Sequence, residues 1–343
     1  MKYNAQKPSE TYSIADYNAL MRSNIPEGLV GTTRFDSAED ASVFFARELD
    51  YIKAKSYDKV YPEFTALAHF PITHEVPAGA ETTTYYSYDK TGMAKIISNY
   101  ATDLPRADVK GEPSTAYIKS VGDSYGYSMQ EMRASHLAGK SLDTRKAEAA
   151  RYQIERKMNQ IAWAGDADAK LVGVLSTGNN IPIVSPATVV VDGANKTEWE
   201  YKSADEILTD VNNIWAYQSQ VTMDVEHADK LMIPPKQYLD ISTRRIPTTG
   251  ITVKKFLLDN SPYLKEIISA AELSAAATDT NPFAADTAFA FTDDEEKFSV
   301  EIPMEFYQYP LQAKGLEIEI PCEARIAGAI MYYPMANVIC SGI

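Results

Sequence analysis

Between residues 141 and 165 the apolar side chains recur at a spacing that leaves little choice of local structure. Ala147, Ala150, Ile154, Met158 and Ile161 fall on one face of a helix of about twenty residues. Lys146, Glu148, Arg151, Glu155 and Arg156 fill the remaining faces, and Arg151 and Glu155 stand four apart, where opposite charges meet. Ser141 or Asp143 supplies the oxygen that caps the first turn, and Gly165 ends the last. A helix with a single apolar stripe has to bury it, so the chain must build a core against this face. At 343 residues it is long enough for two such cores.

What precedes the helix has a different character. Glu81 to Lys90 is rich in Thr and Tyr, the composition of a strand, and Ser114 to Val121 reads the same way. Paired antiparallel, they leave residues 91–113 as a tip far longer than a hairpin needs. Neither strand carries a continuous apolar face, so the pair cannot form a core of its own. Two readings stand: a solvated surface excursion, or an arm that reaches over a neighbouring subunit.

The order of these parts carries a resemblance. A Thr/Tyr-rich arm, the segment Tyr125-Gly126-Tyr127-Ser128-Met129-Gln130-Glu131-Met132, and a long helix follow one another. The helix runs out through Trp163-Ala164-Gly165-Asp166 to Gly173-Val174-Leu175. The succession resembles the major capsid proteins of tailed phages with the Hong Kong 97-type fold. It implies an α+β chain with an N-terminal arm, an extended β-hairpin loop, a peripheral domain with a long spine helix, and an α/β axial domain. On this chain the arm is 1–36, the first part of the peripheral domain 37–81, and the extended loop 82–121. The spine-helix part is 122–180, the axial domain 181–297, and the strands that return to the peripheral domain 298–343.

Residue patterns support that division. Residues 1–36 mix Pro8, Pro26, Gly28 and Gly31 with Tyr3, Tyr12, Tyr17 and Leu20 and show no sustained period, the mark of an extended arm with apolar anchors. Ser37 to Asp40 resembles a capping box before a stripe of Ala41, Phe44, Phe45, Leu49 and Ile52, and Ala68 to Val76 alternates as a strand. Thr188 to Val191 is strand-like before an Asp192-Gly193 turn. Ser203 to Glu206 is a full capping box opening a helix with Ile207, Leu208, Val211, Ile214 and Trp215. Lys230 to Ile233 reads as a buried strand, and Pro234-Pro235 starts a short helix through Tyr238 and Ile241. Later strands are expected at Val300 to Tyr309, Leu316 to Ile320 and Ala324 to Tyr333, with Asp293 to Glu296 as a turn.

Composition narrows the function. A net charge of −14 argues against a protein built to grip nucleic acid, because phosphate binding rests on Lys and Arg. It does not forbid enclosing it. Cys322 and Cys340 give no disulfide framework and suit a reducing cytoplasm. The start, Met1 to Gln6, lacks an apolar signal region. Ile326 to Ile343 carries no charged side chain, but Pro334, Asn337 and Ser341 interrupt it, and it reads as buried strands rather than a membrane span.

No constellation of catalytic residues anchors an enzyme. His69, His74, His136 and His227 make no metal-type pair, and Asp166 to Lys170 starts like a calcium loop but lacks its Gly and last ligand. Asp293 to Glu296 are consecutive, so their carboxylates splay outward. Cys322 and Cys340 sit in strand-like runs as small core residues. No cofactor or metal is expected.

The resemblance implies a self-assembling shell subunit, forming pentamers and hexamers of an icosahedral head that holds double-stranded DNA. Tyr85, Tyr86, Tyr88, Lys90 and Tyr117 of the extended loop are the expected intersubunit contacts. Lys146, Arg151 and Arg156 form a locally basic patch that faces DNA, faces an acidic neighbour, or is solvated. Other implied partners are a portal and separate scaffolding or decoration proteins, with DNA contacted weakly. The implied location is the virion, after assembly in the host cytoplasm. Some relatives crosslink a loop lysine to a neighbour's asparagine; Lys90, Lys95 and Lys110 lie in that region, but no partner asparagine is recognisable, so non-covalent contact is expected. The alternative is an encapsulin-type nanocompartment shell that packages enzymes.

Overall fold

The computed structural model describes residues 62–92, 106–138, 145–247 and 249–343. The arm at 1–36, the helix expected to start at 37, Lys95 and the choice between Ser141 and Asp143 as cap lie outside these residues.

The first described element is a short helix, α1 (Thr65–His69), followed by a two-residue strand, β1 (Ile72–Thr73). Of the single strand expected from Ala68 to Val76, the first two residues, Ala68 and His69, are thus helix. Ala66, Leu67 and Ala68 favour helix locally, and only Ile72 and Thr73 find a strand partner, Val300 and Glu301.

Two ten-residue strands, β2 (Thr82–Thr91) and β3 (Asp108–Tyr117), pair antiparallel from Thr82↔Tyr117 to Thr91↔Asp108. The pairing runs further than the side-chain pattern predicted and shortens the tip to 92–107. At Ile118 the chain turns inward. This residue is buried and its N–H donates to Glu81 O at 2.9 Å, closing the base of the hairpin. The next strand, β4 (Lys119–Ser128), therefore joins another sheet, and the strand expected over Ser114 to Val121 is two strands with different partners.

Ser128 then caps α2 (Met129–Ala138) with a reciprocal pair: Glu131 N–H donates to Ser128 Oγ and Ser128 N–H to the Glu131 carboxylate, both at 3.1 Å. The long helix follows as α3 (Arg145–Ala164), with Ala150, Ile154, Met158 and Ile161 buried as expected and Ala147 half-buried.

Behind it the chain doubles back through β5 (Gly165–Asp166) and β6 (Leu171–Val172). Val174 and Leu175 N–H groups donate to Ala162 and Trp163 carbonyls, each at 2.8 Å, satisfying acceptors that a helix end leaves orphaned. The crossing is tight. Gly165 has φ +77°, and a Cβ on Gly173 would lie 2.2 Å from the Gly165 nitrogen. This close approach explains why a Gly-Asp turn and a Gly-Val-Leu run follow the helix.

The second half alternates helix and strand. It begins with β7 (Ile183–Val184) and the small hairpin β8 (Val189–Val191) and β9 (Ala194–Lys196) around Asp192 and Gly193. Helix α4 (Ala204–Thr222) opens on the complete Ser203/Glu206 capping box. Strand β10 (Lys230–Ile233), helices α5 (Pro235–Thr243) and α6 (Val253–Asn260), and β11 (Glu266–Ser269) complete this part.

The remaining strands are β12 (Thr287–Phe291), β13 (Phe298–Glu301), β14 (Met304–Gln308), β15 (Gln312–Lys314), β16 (Glu317–Ile326), β17 (Gly328–Met331) and β18 (Val338–Ser341). Pro303, which has no N–H to donate, splits the single strand expected over Val300 to Tyr309. Gly328, at φ +82°, splits the one expected over Ala324 to Tyr333.

Three larger sheets result: β1-β13-β17-β6-β5, β11-β10-β12-β18-β7, and β4 beside β16 with β14 and β15 on its other edge. The middle sheet is a shared wall. Phe289 and Phe291 of β12, Met232 of β10 and Ile339 of β18 face the core under the long helix. Their alternate neighbours, Ala288, Ala290, Leu231, Ile233, Val338 and Cys340, face a second core with Trp199, Ile207, Val211, Ile214 and Trp215. Strands buried on both faces read as unbroken apolar runs, as Lys230–Ile233 does after its first residue. The Ile326–Ile343 stretch is β17 and β18 joined by a 3-10 turn, and among the described residues no helix is long and apolar enough to cross a membrane.

Candidate assembly surface

Side chains of β2 alternate between two faces, and near the base of the hairpin Tyr85 and Tyr117 contact described residues outside it. Tyr85 is half-buried: its ring packs edge-on to Tyr332 with centroids 5.0 Å apart, and its hydroxyl donates to Met331 O at 3.3 Å. It anchors the hairpin to its own subunit. Tyr86 and Tyr88 point the other way, stack at 6.5 Å, and are 61% and 71% exposed. Tyr88 lies across Gly111, its cross-strand neighbour, where an added Cβ would come within 2.9 Å of the ring. Lys90 is exposed near the tip, and Tyr117 at the base holds the Lys170 ammonium 5.4 Å from its ring centre. The five tyrosine and lysine positions of the loop thus divide into base contacts within the chain (Tyr85, Tyr117) and an open outer face (Tyr86, Tyr88, Lys90).

Along α3 the three basic residues stand five apart, which rotates each about 140° from the last. They do not share a face, and each has an acidic partner. Lys146 Nζ donates to Gly126 O at 3.0 Å and to Glu131 at 3.1 Å while lying 4.6 Å from the Tyr127 ring centre. The Glu131 carboxyl is held below its ordinary range by the Ser128 N–H first and the Lys146 ammonium second. Arg151 pairs with Glu155 at 2.6 Å, and Arg156 reaches Asp279 at 3.5 Å. Phosphate binding by this helix would compete with those carboxylates.

One buried cluster escaped the sequence reading. Glu272 accepts from Thr65 N and Oγ1 at 3.1 and 2.7 Å and from Asn159 Nδ2 at 2.8 Å, while Asn159 Oδ1 accepts from Ala66 N at 3.1 Å. It ties the long helix to α1 and to the turn after β11. The signal was there: Asn159 follows Met158 on the buried side of the stripe, where an amide needs partners. Burial pushes the Cys340 thiol up to about 12 and raises Cys322 as well, so neither is an activated nucleophile. Among the described residues no group of three or more His, Cys, Asp or Glu is placed to hold a metal ion.

A sequence profile described as major capsid protein matches residues 92–343, most of the chain. The chain belongs to the major capsid protein family. Its fold is that of the Hong Kong 97-type capsid proteins. The capsid of Myoviridae phage XM1 superposes with a TM-score of 0.73 at 17% identity, over 88% of this capsid protein and 100% of that chain. A structure of Mycobacterium phage Ogopogo gives 0.57 at 11% identity, covering 85% and 96%. A virus-like particle from Pyrococcus furiosus gives 0.50 at 15%, covering 80% and 91%. No curated protein sequence matches this capsid protein significantly. The matched family and the phage capsids among the structural neighbours do not favour the nanocompartment alternative.

Proposed function

We propose that the protein is the structural subunit of an icosahedral phage head, assembled as pentamers and hexamers around double-stranded DNA. The observation that carries this reading is the hairpin at 82–117: ten paired residues per strand, with side chains exposed along most of their length. A two-stranded ribbon in water is marginal. A neighbouring copy that covers Tyr86 and Tyr88 supplies the burial the ribbon lacks, and obligate interfaces of this kind bury roughly 2,000 Å² or more.

In this reading the core under the long helix is the peripheral domain and the second core the axial domain, with the boundary near residue 181 and the return near 298. Lys90 and the outer tyrosines contact the neighbour, and the shell is strengthened without covalent crosslinks. The role is structural rather than catalytic. Portal, scaffolding or decoration proteins join the particle, which assembles in the host cytoplasm. DNA is contacted weakly, because the chain carries −14 and Lys146, Arg151 and Arg156 are each committed to a carboxylate.

Electron microscopy of the overexpressed protein tests this directly. Closed shells or rings of capsomers are expected, and deletion of residues 92–107 should leave folded subunits that form neither. A monomer at all concentrations and salts, or normal shells from the deletion, would overturn it.

A further inference from the structure

Residues 181–297, which build most of the second core, carry 19 acidic side chains and 10 basic ones. Four of those ten fall in one stretch, Ile241 to Leu258, which has no acidic residue at all. Arg244 is held by Asp240 at 2.9 Å, and the Lys254 ammonium lies 4.2 Å from the Tyr238 ring centre. Arg245 and Lys255 are exposed and, among the described residues, have no acidic partner.

Lys254 and Lys255 also stand where cations are least favoured. They occupy the first turn of α6, the positive end of the helix dipole. Thr252 caps that turn, its Oγ1 accepting from Lys255 N–H at 3.4 Å. The third residue beyond such a cap is the place for Glu, as Glu206 shows at the start of α4. A position that breaks a local rule with no gain inside the chain points to a gain outside it. The basic segment asks for an anionic partner.

The chain carries one on another surface. Asp293, Asp294, Glu295 and Glu296 are consecutive, and Glu295 and Glu296 are exposed with no cationic partner among the described residues. Thr292 Oγ1 donates to His227 O at 3.1 Å and Lys297 pairs with Glu226 at 2.6 Å, which sets this turn beside the end of α4. There Met223 and Val225 are 88% and 72% exposed on either side of Asp224. Tyr263, just past the end of α6, stacks on His227 with centroids 3.8 Å apart. The eight residues of α6, about 12 Å long, therefore hold the acidic corner apart from the basic segment. Beside the basic segment Leu239 and Ile251 are exposed, so each surface offers apolar side chains with charge around them, the anatomy of an interface.

We propose that the basic segment 244–255 of one copy docks on the acidic corner of the next, a head-to-tail contact between two different surfaces. This rests on the reading of the protein as a self-assembling subunit and names one of its contacts. Duplex DNA is the competing polyanion, but it has no use for the exposed apolar pair.

Charge reversal in the full chain, read by sedimentation velocity, tests it. Arg245→Glu with Lys255→Glu, and separately Glu295→Lys with Glu296→Lys, should each weaken association about tenfold or more. The chain with all four changes restores the complementarity and should associate within about threefold of the wild type. Lys255→Glu completes the capping box of α6 and the other three side chains are exposed, so melting temperatures should hold and lost association is not lost fold. Unchanged association in either reversed pair, or no recovery in the fourfold variant, would overturn the proposal while the wild type still forms shells. A wild type that stays monomeric would overturn the self-assembly reading itself, and the proposal with it. If the Arg245→Glu, Lys255→Glu chain associates normally but no longer retains duplex DNA on a filter, the segment serves phosphate and the proposal fails.

Discussion

Two antiparallel pairs in this molecule have the same length and opposite fates. β2 and β3 match ten residues to ten, and so do β4 and β16, from Lys119↔Ile326 to Ser128↔Glu317. The backbone ladders are equivalent; the faces are not. β16 presents Cys322, Ala324 and Ile326 to the core under the long helix, and Val121 and Tyr125 of β4 pack against the same core. In the hairpin Thr83, Tyr85, Ser114 and Ala116 towards the base and Thr91 at the far end are half-buried, and the other described side chains of both strands are exposed. Net hydrogen bonding contributes modestly because water competes for the same groups. What separates the two pairs is apolar area, at about 25 cal/mol per Å² buried. One pair is buried within the chain, and the other leaves most of its described side chains exposed.

The largest expected effect comes from charging the buried side. Ile154 is 1% exposed in the core that β16 covers. Ile154→Asp buries an unpaired carboxylate, a cost of several kcal/mol against a total stability of about 5–15. The variant should be insoluble or unfolded by circular dichroism, while Tyr86→Asp on the hairpin leaves the subunit's melting curve in place. A soluble, cooperative Ile154→Asp protein would remove the distinction between the two pairs.

A smaller loss is expected where the chain crosses behind the long helix. In Gly173→Ala the new Cβ would lie 2.2 Å from the Gly165 nitrogen and 2.6 Å from Trp163 O, so backbone has to move. Destabilisation of roughly 2–4 kcal/mol by urea unfolding follows. Gly193→Ala, at φ +79° with open space around it, pays only the left-handed conformation, about 1 kcal/mol.

These two sites show what the sequence reveals and what it hides. The stripe Ala150, Ile154, Met158, Ile161 is legible because helical period and burial coincide, and so is the Ser203/Glu206 box. The Gly–Gly crossing is visible only as residue types, since its reason is a contact between positions eight apart in chain and touching in space. The strand partition was misread for a related cause. Ser114 to Val121 looks continuous, but Ile118 is drawn into the core and the pairing partner changes there. Tyr-rich β2 and Tyr-containing β4 are alike in composition, and nothing local says that one of them meets β16. On the hairpin, composition marks the tyrosines but not their division between two faces. Tyr85 and Tyr117 serve their own subunit because side chains alternate and the base of the hairpin lies against Tyr332 and Lys170.

Thiol chemistry gives a third, graded contrast. Cys340 lies in the shared sheet with its pKa pushed up to about 12 by burial, from an ordinary value of 9.0. A group whose folded pKa is raised stabilises the fold fully below its unfolded pKa. That contribution should fade as pH rises from about 9 towards 12. At pH 8 neither native cysteine should react with iodoacetamide before unfolding, whereas a Tyr88→Cys thiol on the open face should react at once. Peptide mapping by mass spectrometry reads both, and protection of that thiol after association would mark the surface a neighbour covers.

The smallest effect is expected on the helix's basic residues, and it sharpens the comparison from the solvent side. Arg151 and Arg156 are 65% and 58% exposed, and each holds one carboxylate. Pairs this exposed contribute about 0–1 kcal/mol, because water screens them and ordering two long side chains costs entropy. Arg151→Gln with Arg156→Gln should therefore shift subunit stability by less than about 1 kcal/mol. Any duplex-DNA affinity should be weak, and its dependence on salt should lose at most about two counterions' worth of slope, one per phosphate contact removed. A steeper loss in a filter-binding titration, or nanomolar binding by the unaltered subunit at about 150 mM salt, would mean that the arginines leave Glu155 and Asp279 for phosphate. In that case the helix, like the exposed face of the hairpin, would present a surface open to a partner outside the chain.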